Sequence, residues 1–101
     1  MSEAAPSTVT ILTHSYLDGY TQSISRPFGG GLERYVHALC QVISQMGLCP
    51  VVYQLSYFGA FDTVYEGVRV RGWTYDTEKI AAAFEEMAGA AEGLIIYGSC
   101  I

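Results

Sequence analysis

Hydrophobic positions fall into two alternating rhythms along this chain, and each predicts its own kind of element. Thr8-Val9-Thr10-Ile11-Leu12-Thr13-His14 is an apolar, β-branched run. It predicts a central parallel strand covered on both faces. From residue 32 the rhythm changes to threes and fours. Leu32, Tyr35, Val36, Leu39, Cys40, Ile43 and Met46 make one apolar stripe, with Glu33, Arg34, His37, Gln41 and Gln45 on the other side. That pattern predicts a helix of about four turns, stopped by Gly47 and followed by Pro50. Val51–Leu55 reads as a second strand, and the aromatic stretch 56–66 as irregular. In Gly67–Trp73 valines and arginines alternate, which suits a strand at a sheet edge. A second helix presents Ile80, Ala83, Phe84 and Met87 and can be N-capped by Asp76 or Thr77. Gly93–Tyr97 is apolar throughout and predicts a last, buried strand.

Strands that alternate with helices predict an α/β fold with right-handed crossovers. The expected architecture is a Rossmann-like, mostly parallel sheet of order 3-2-1-4 with flanking helices. Residues 1–7 read as a disordered lead, and residues 8–101 as one partial domain.

Composition narrows the function. A net charge of -5 with only five basic residues leaves no footprint for nucleic acid. The start has no secretory leader pattern, and no apolar run is long enough to span a membrane, so a cytoplasmic location is expected. Three cysteines without C-x-x-C spacing and two histidines read as reduced, mostly buried thiols and no metal site. No catalytic triad or catalytic residue is assignable, and no cofactor is implied.

The segment 15–28 has no periodicity, and a connection of that length is more often functional than not. It leads into Gly29-Gly30-Gly31, directly ahead of the first helix. Glycines let a ligand approach the backbone, and the unpaired amides and positive dipole end of a helix suit a phosphate. The run is neither G-x-G-x-x-G nor a P-loop, which disfavours nicotinamide enzymes and P-loop nucleotidases. His14, at the C-terminal end of the first strand, and Arg26, before the glycines, are candidate substrate contacts.

Pro27-Phe28-Gly29-Gly30-Gly31-Leu32-Glu33-Arg34-Tyr35-Val36 resembles the G-G-x-E-R-x-V stretch of family 4 (group 1) glycosyltransferases of the GT-B fold. The likeness continues through Leu39, Gly47 and Val51–Leu55, and Gly67-Val68-Arg69-Val70 resembles that family's third-strand segment. The resemblance implies the acceptor-side, N-terminal domain of an enzyme moving a sugar from a nucleotide-sugar donor to an acceptor hydroxyl. It gives Gly30 and Gly31, with Gly29, the donor diphosphate. Donor and acceptor would be the partners of the full-length protein. The 101 residues would hold about half of that first domain and none of the second, so an inactive fragment is expected. Where many relatives have a His-x-His-like stretch, this chain has Ile96-Tyr97-Gly98-Ser99. A bare strand edge at Gly93–Ile101 would favour a homodimer through that edge. The alternative is a non-catalytic α/β module for a phosphorylated ligand or partner protein. A flavodoxin-like domain ranks last, because its phosphate loop would carry more Ser and Thr.

Overall fold

The computed structural model describes residues 7–14, 16–17, 31–56, 59–74, 78–91 and 93–97. They form an α/β fold in the order β1 (Thr8–Thr13), α1 (Gly31–Gln45), β2 (Cys49–Ser56), β3 (Phe61–Tyr65), β4 (Val68–Thr74), α2 (Ile80–Ala90) and β5 (Leu94–Tyr97). One five-stranded sheet has the order β3-β4-β2-β1-β5. β1 pairs in parallel with β2, Ile11 opposite Val52, and with β5, Ile11 opposite Ile96. β2 pairs in parallel with β4, Val52 opposite Val70.

The sheet is mixed, which corrects the expected mostly parallel order 3-2-1-4. The difference is β3, which runs antiparallel beside β4 and takes the edge that β4 was expected to hold. Its segment has a strand's alternation, with Phe61, Thr63 and Tyr65 less exposed than Asp62 and Val64. Glu66 and Gly67 join the two strands, both at positive φ (49° and 82°), as a tight two-residue connection requires. The β4 arginines therefore do not guard an open edge. Arg69 reaches across to Asp62 on β3, with contacts of 3.0 and 2.6 Å.

Strand alternation sends side chains to two faces, and each face carries one helix. Val36, Cys40 and Ile43 of α1 pack on Val9, Ile11, Val52, Val68 and Val70. Ala83, Phe84 and Met87 of α2 pack on Leu12, Tyr53 and Leu55. The chain moves from β1 to β2 and on to β4 in one direction, then crosses back to place β5 on the far side of β1. Helices on opposite faces are what crossovers of a single hand demand when the direction reverses.

The first helix ends as its sequence predicts. Gly47 N–H donates to Ser44 O and Leu48 N–H to Ile43 O, and Leu48 packs on the core below. This is the Schellman arrangement, with glycine at positive φ. The second helix differs: its N-cap is Lys79, with no side-chain cap hydrogen bond, while Asp76 and Thr77 lie outside the described residues. β5 is not a buried strand. It is outermost among the described strands, and Leu94 and Tyr97 are exposed. Of the lead, residues 1–6 lie outside the described residues, while Ser7 O accepts a 2.9 Å hydrogen bond from Cys49 N–H.

Candidate functional site

In an open α/β sheet, ligands gather beyond the C-terminal strand ends where the direction of travel reverses. Here that point lies between β1 and β5, with Leu12 opposite Tyr97. Gly31 is the first residue of α1, so the helix N-terminus, whose first amides have no partner within the helix, stands at this end of the sheet. Of the residues expected to bind the donor diphosphate, Gly31 is the one the structure places. Gly29, Gly30 and Arg26 lie outside the described residues. His14 does follow the end of β1, and its ring packs at 5.1 Å from that of Phe84 on α2. It is thus on the α2 side of the sheet, whereas Gly31 opens the helix on the other face.

Three features here were not read from the sequence. Tyr16 and Leu17, within the segment taken as loop, are fully buried in the core under α1. Gln54 of β2, also fully buried, holds Leu17 by its backbone. Leu17 N–H donates to Gln54 Oε1 at 2.7 Å, and Gln54 Nε2 donates to Leu17 O at 3.0 Å and Leu55 O at 3.1 Å. One carboxamide thus satisfies a residue that leaves the sheet, as a neighbouring strand would. Two residues on, the Ser56 hydroxyl is buried with no partner among the described residues. Ser56 shares the strand face of Val52 and Gln54, toward α1.

Glu33, expected on the polar side of α1, is buried in the first turn. A carboxylate there suits the positive end of the helix dipole. His37, expected in solvent, is half-buried. Its Nδ1 hydrogen-bonds the Tyr16 hydroxyl at 2.9 Å, and its Nε2 lies 3.3 Å from Gln41 Nε2 and 3.9 Å from Glu66 Oε1. Tyr65 meets the Tyr16 ring edge-on at 6.1 Å. Burial raises the Tyr16 hydroxyl well above the ordinary tyrosine range, with Cys40, Tyr65 and Glu66 adding to the effect. Burial also pushes the Cys40 thiol up to about 11. His37, Cys40, Gln41, Ser44, Tyr65 and Glu66 line a groove of about 360 Å³ between α1 and the β3–β4 turn.

A second hollow of about 510 Å³ lies by β3, β4 and α2, with Asp62, Arg71, Trp73, Thr74 and Glu86 on its walls. The Arg71 guanidinium stacks 4.5 Å from the Trp73 ring and 5.4 Å from that of Tyr53. Of the thiols, Cys40 is buried, while Cys49 is exposed, against the expectation of burial. Cys100 lies outside the described residues. No group of three or more metal-ligating side chains occurs among the described residues. No helix among them is long and apolar enough to cross a membrane.

Comparison of the chain with protein-family models, with curated proteins and with solved structures returns no match.

Proposed function

We propose that this chain supplies the acceptor-side, Rossmann-like portion of a GT-B glycosyltransferase, which moves a sugar from a nucleotide-sugar to an acceptor hydroxyl. The observation that carries the reading is the position of Gly31. The residue that closes the glycine run is the first residue of α1, at the sheet end where open α/β folds hold ligands. Loss of a nucleoside diphosphate leaves negative charge on the departing oxygens. Fixed amides at a helix N-terminus stabilise such charge without reorganising. In this reading Gly29, Gly30 and Gly31 present their amides to the diphosphate, and His14 and Arg26 contact the substrates.

Amide-resolved NMR titration tests it. A nucleoside diphosphate should shift the amides of residues 29–32, with a dissociation constant of about 1 mM, near -4 kcal/mol. The uncharged nucleoside should not do so, and Gly30→Val should abolish the response while the core signals stay in place. Shifts that map elsewhere would leave the glycine run a turn and remove the reading. Inorganic phosphate or a phosphopeptide that binds as tightly as the diphosphate would favour a phosphate-binding module over a transferase.

A further inference from the structure

Arg71 of β4 is held in place without a close ion pair of its own. Strand alternation puts Arg69, Arg71 and Trp73 on the α2 face of the sheet. Directly across from Arg71 on β3 stands Asp62, the expected partner for a cation in a cross-strand pair. The Asp62 carboxylate, however, is taken by Arg69, which donates Nε–H to Oδ1 at 3.0 Å and Nη2–H to Oδ2 at 2.6 Å. Arg71 approaches it only through Nε, at 4.0 Å, which is beyond hydrogen-bond reach. Its guanidinium lies instead against two rings, 4.5 Å from that of Trp73 and 5.4 Å from that of Tyr53. Those rings are fixed in turn. They pack on each other at 4.7 Å, and the Tyr53 hydroxyl donates to Ala90 O on α2 at 3.4 Å. Contacts with aromatic faces orient a guanidinium but use none of its N–H donors. Arg71 is therefore a pre-positioned fork on the wall of the 510 Å³ hollow, with no hydrogen-bond partner among the described residues.

We infer that this hollow binds a small zwitterion with one carboxylate and one ammonium group, as in a free α-amino acid, and that Arg71 takes the carboxylate. A planar fork with parallel N–H donors is the geometry that a carboxylate matches. The rest of the wall selects against a simple anion. Glu86, exposed on α2, also lines the hollow and has no ion-pair partner among the described residues. The half-exposed Asp62 adds a second carboxylate. An anion drawn to Arg71 meets both of these like charges, and a phosphate dianion suffers most. A ligand with an ammonium beside its carboxylate turns the same groups into partners. Trp73, half-buried on the same wall, offers an apolar side chain a surface next to the fork. The volume of the hollow falls in the range of small-molecule sites, about 300–1,000 Å³. It stands on the α2 face, whereas Gly31 opens the helix on the other, so the inference does not rest on sugar transfer.

Trp73 is the single tryptophan of the chain, so its fluorescence reads the hollow directly. Titration with L-phenylalanine should change that fluorescence with a dissociation constant of about 1 mM. Hydrocinnamate, which lacks the ammonium, and phenethylamine, which lacks the carboxylate, should each bind several-fold more weakly. Inorganic phosphate should not compete. Arg71→Gln should weaken L-phenylalanine at least tenfold, and Arg71→Lys nearly as much, because lysine keeps the charge but not the fork. Both variants should keep the wild-type circular dichroism spectrum. Glu86→Gln, at an exposed position, separates the two charges. It should weaken L-phenylalanine several-fold yet tighten hydrocinnamate. No response of Trp73 up to about 20 mM L-phenylalanine would overturn the proposal and leave Arg71 as a cover for the two rings. So would a response that survives Arg71→Gln, or binding of hydrocinnamate, phenethylamine or phosphate as tight as that of L-phenylalanine. Equal effects of Glu86→Gln on L-phenylalanine and hydrocinnamate would overturn it too.

Discussion

Gln54 and Leu17 are joined as though their segments were adjacent strands, although one partner is a side chain. The carboxamide accepts from Leu17 N–H at 2.7 Å and donates to Leu17 O at 3.0 Å. This fixes where the chain leaves β1 on its way to α1. Gln54→Leu has similar volume but removes the side-chain partner from both buried backbone groups of Leu17. The expected loss is roughly 2–4 kcal/mol of stability, from the desolvation of those groups. Urea unfolding measures it. Amide exchange at Leu17 should accelerate well beyond the global change, and an unchanged Leu17 protection factor would mean that the clamp holds nothing locally.

The thiols predict a second outcome. Cys49 is exposed and Cys40 buried. In a Cys100→Ser background, the exposed Cys49 should react with a thiol reagent without waiting for the fold to open, whereas Cys40 should react only as fast as the fold opens. Because burial raises the Cys40 thiol to about 11 from 9.0, its contribution to stability is complete below pH 9. It is lost as pH rises toward 11, at up to about 1.4 kcal/mol per unit. Tyr16, raised in the same direction, extends that loss to higher pH. A flat stability profile between pH 9 and 11 would contradict the burial of Cys40.

What the sequence made legible follows from the range of the interactions involved. β1, α1, β2, β4, α2 and β5 announce themselves through local periodicity, and the Gly47 stop is a matter of a few residues. The β3 strand was legible too, since Phe61-Asp62-Thr63-Val64-Tyr65 alternates and Glu66-Gly67 is a turn. The aromatics Tyr57 and Phe58 just ahead of it hid that alternation. Burial was harder to read, because an apolar strand looks the same at the centre and at the edge. Leu94–Tyr97 thus read as buried although it is outermost among the described strands. On α1, one stripe was read where there are two, a buried one and an exposed one. The Gln54 clamp had no local signal, since its partner is 37 residues away. Within the candidate site, the glycine run and its helix were visible as a motif, while Tyr16, Ser56 and Glu33 became candidates only through their packing.

The Asp62–Arg69 pair joins β3 to β4 on the surface. Both side chains are about half exposed, so the pair contributes no more than about 1 kcal/mol. The hydrogen bond from Arg69 lowers the Asp62 carboxyl below its ordinary value of 3.8, against a smaller opposing effect of desolvation. Its contribution is therefore present above pH 4 and disappears as pH falls through the lowered value. A double-mutant cycle with Asp62→Asn and Arg69→Gln should give a coupling below about 1 kcal/mol at neutral pH, reduced further by salt. A coupling of several kcal/mol would mean that the pair is shielded from water in a way its exposure does not allow.

Gly93 sets β5 against β1, and it cannot be replaced cheaply. Its φ is 73°, a left-handed conformation that costs a residue with a side chain about 1–2 kcal/mol. The second obstacle is larger. A Cβ on Gly93 would stand 2.0 Å from the carbonyl oxygen of Thr8, the residue that opens β1. That oxygen belongs to a strand backbone paired on its other side with β2, Thr8 opposite Cys49, so it cannot yield without disturbing the centre of the sheet. Gly93→Ala should therefore lose more than the conformational cost alone, roughly 2–4 kcal/mol, chiefly by releasing β5. Gly47 has a similar φ of 82° but nothing within 4 Å of its Cβ position, so Gly47→Ala isolates the conformational part at about 1–2 kcal/mol. The comparison is read by chemical denaturation, together with amide exchange at Leu94–Tyr97. Equal losses in the two variants would mean that β5 is not seated on β1 as described.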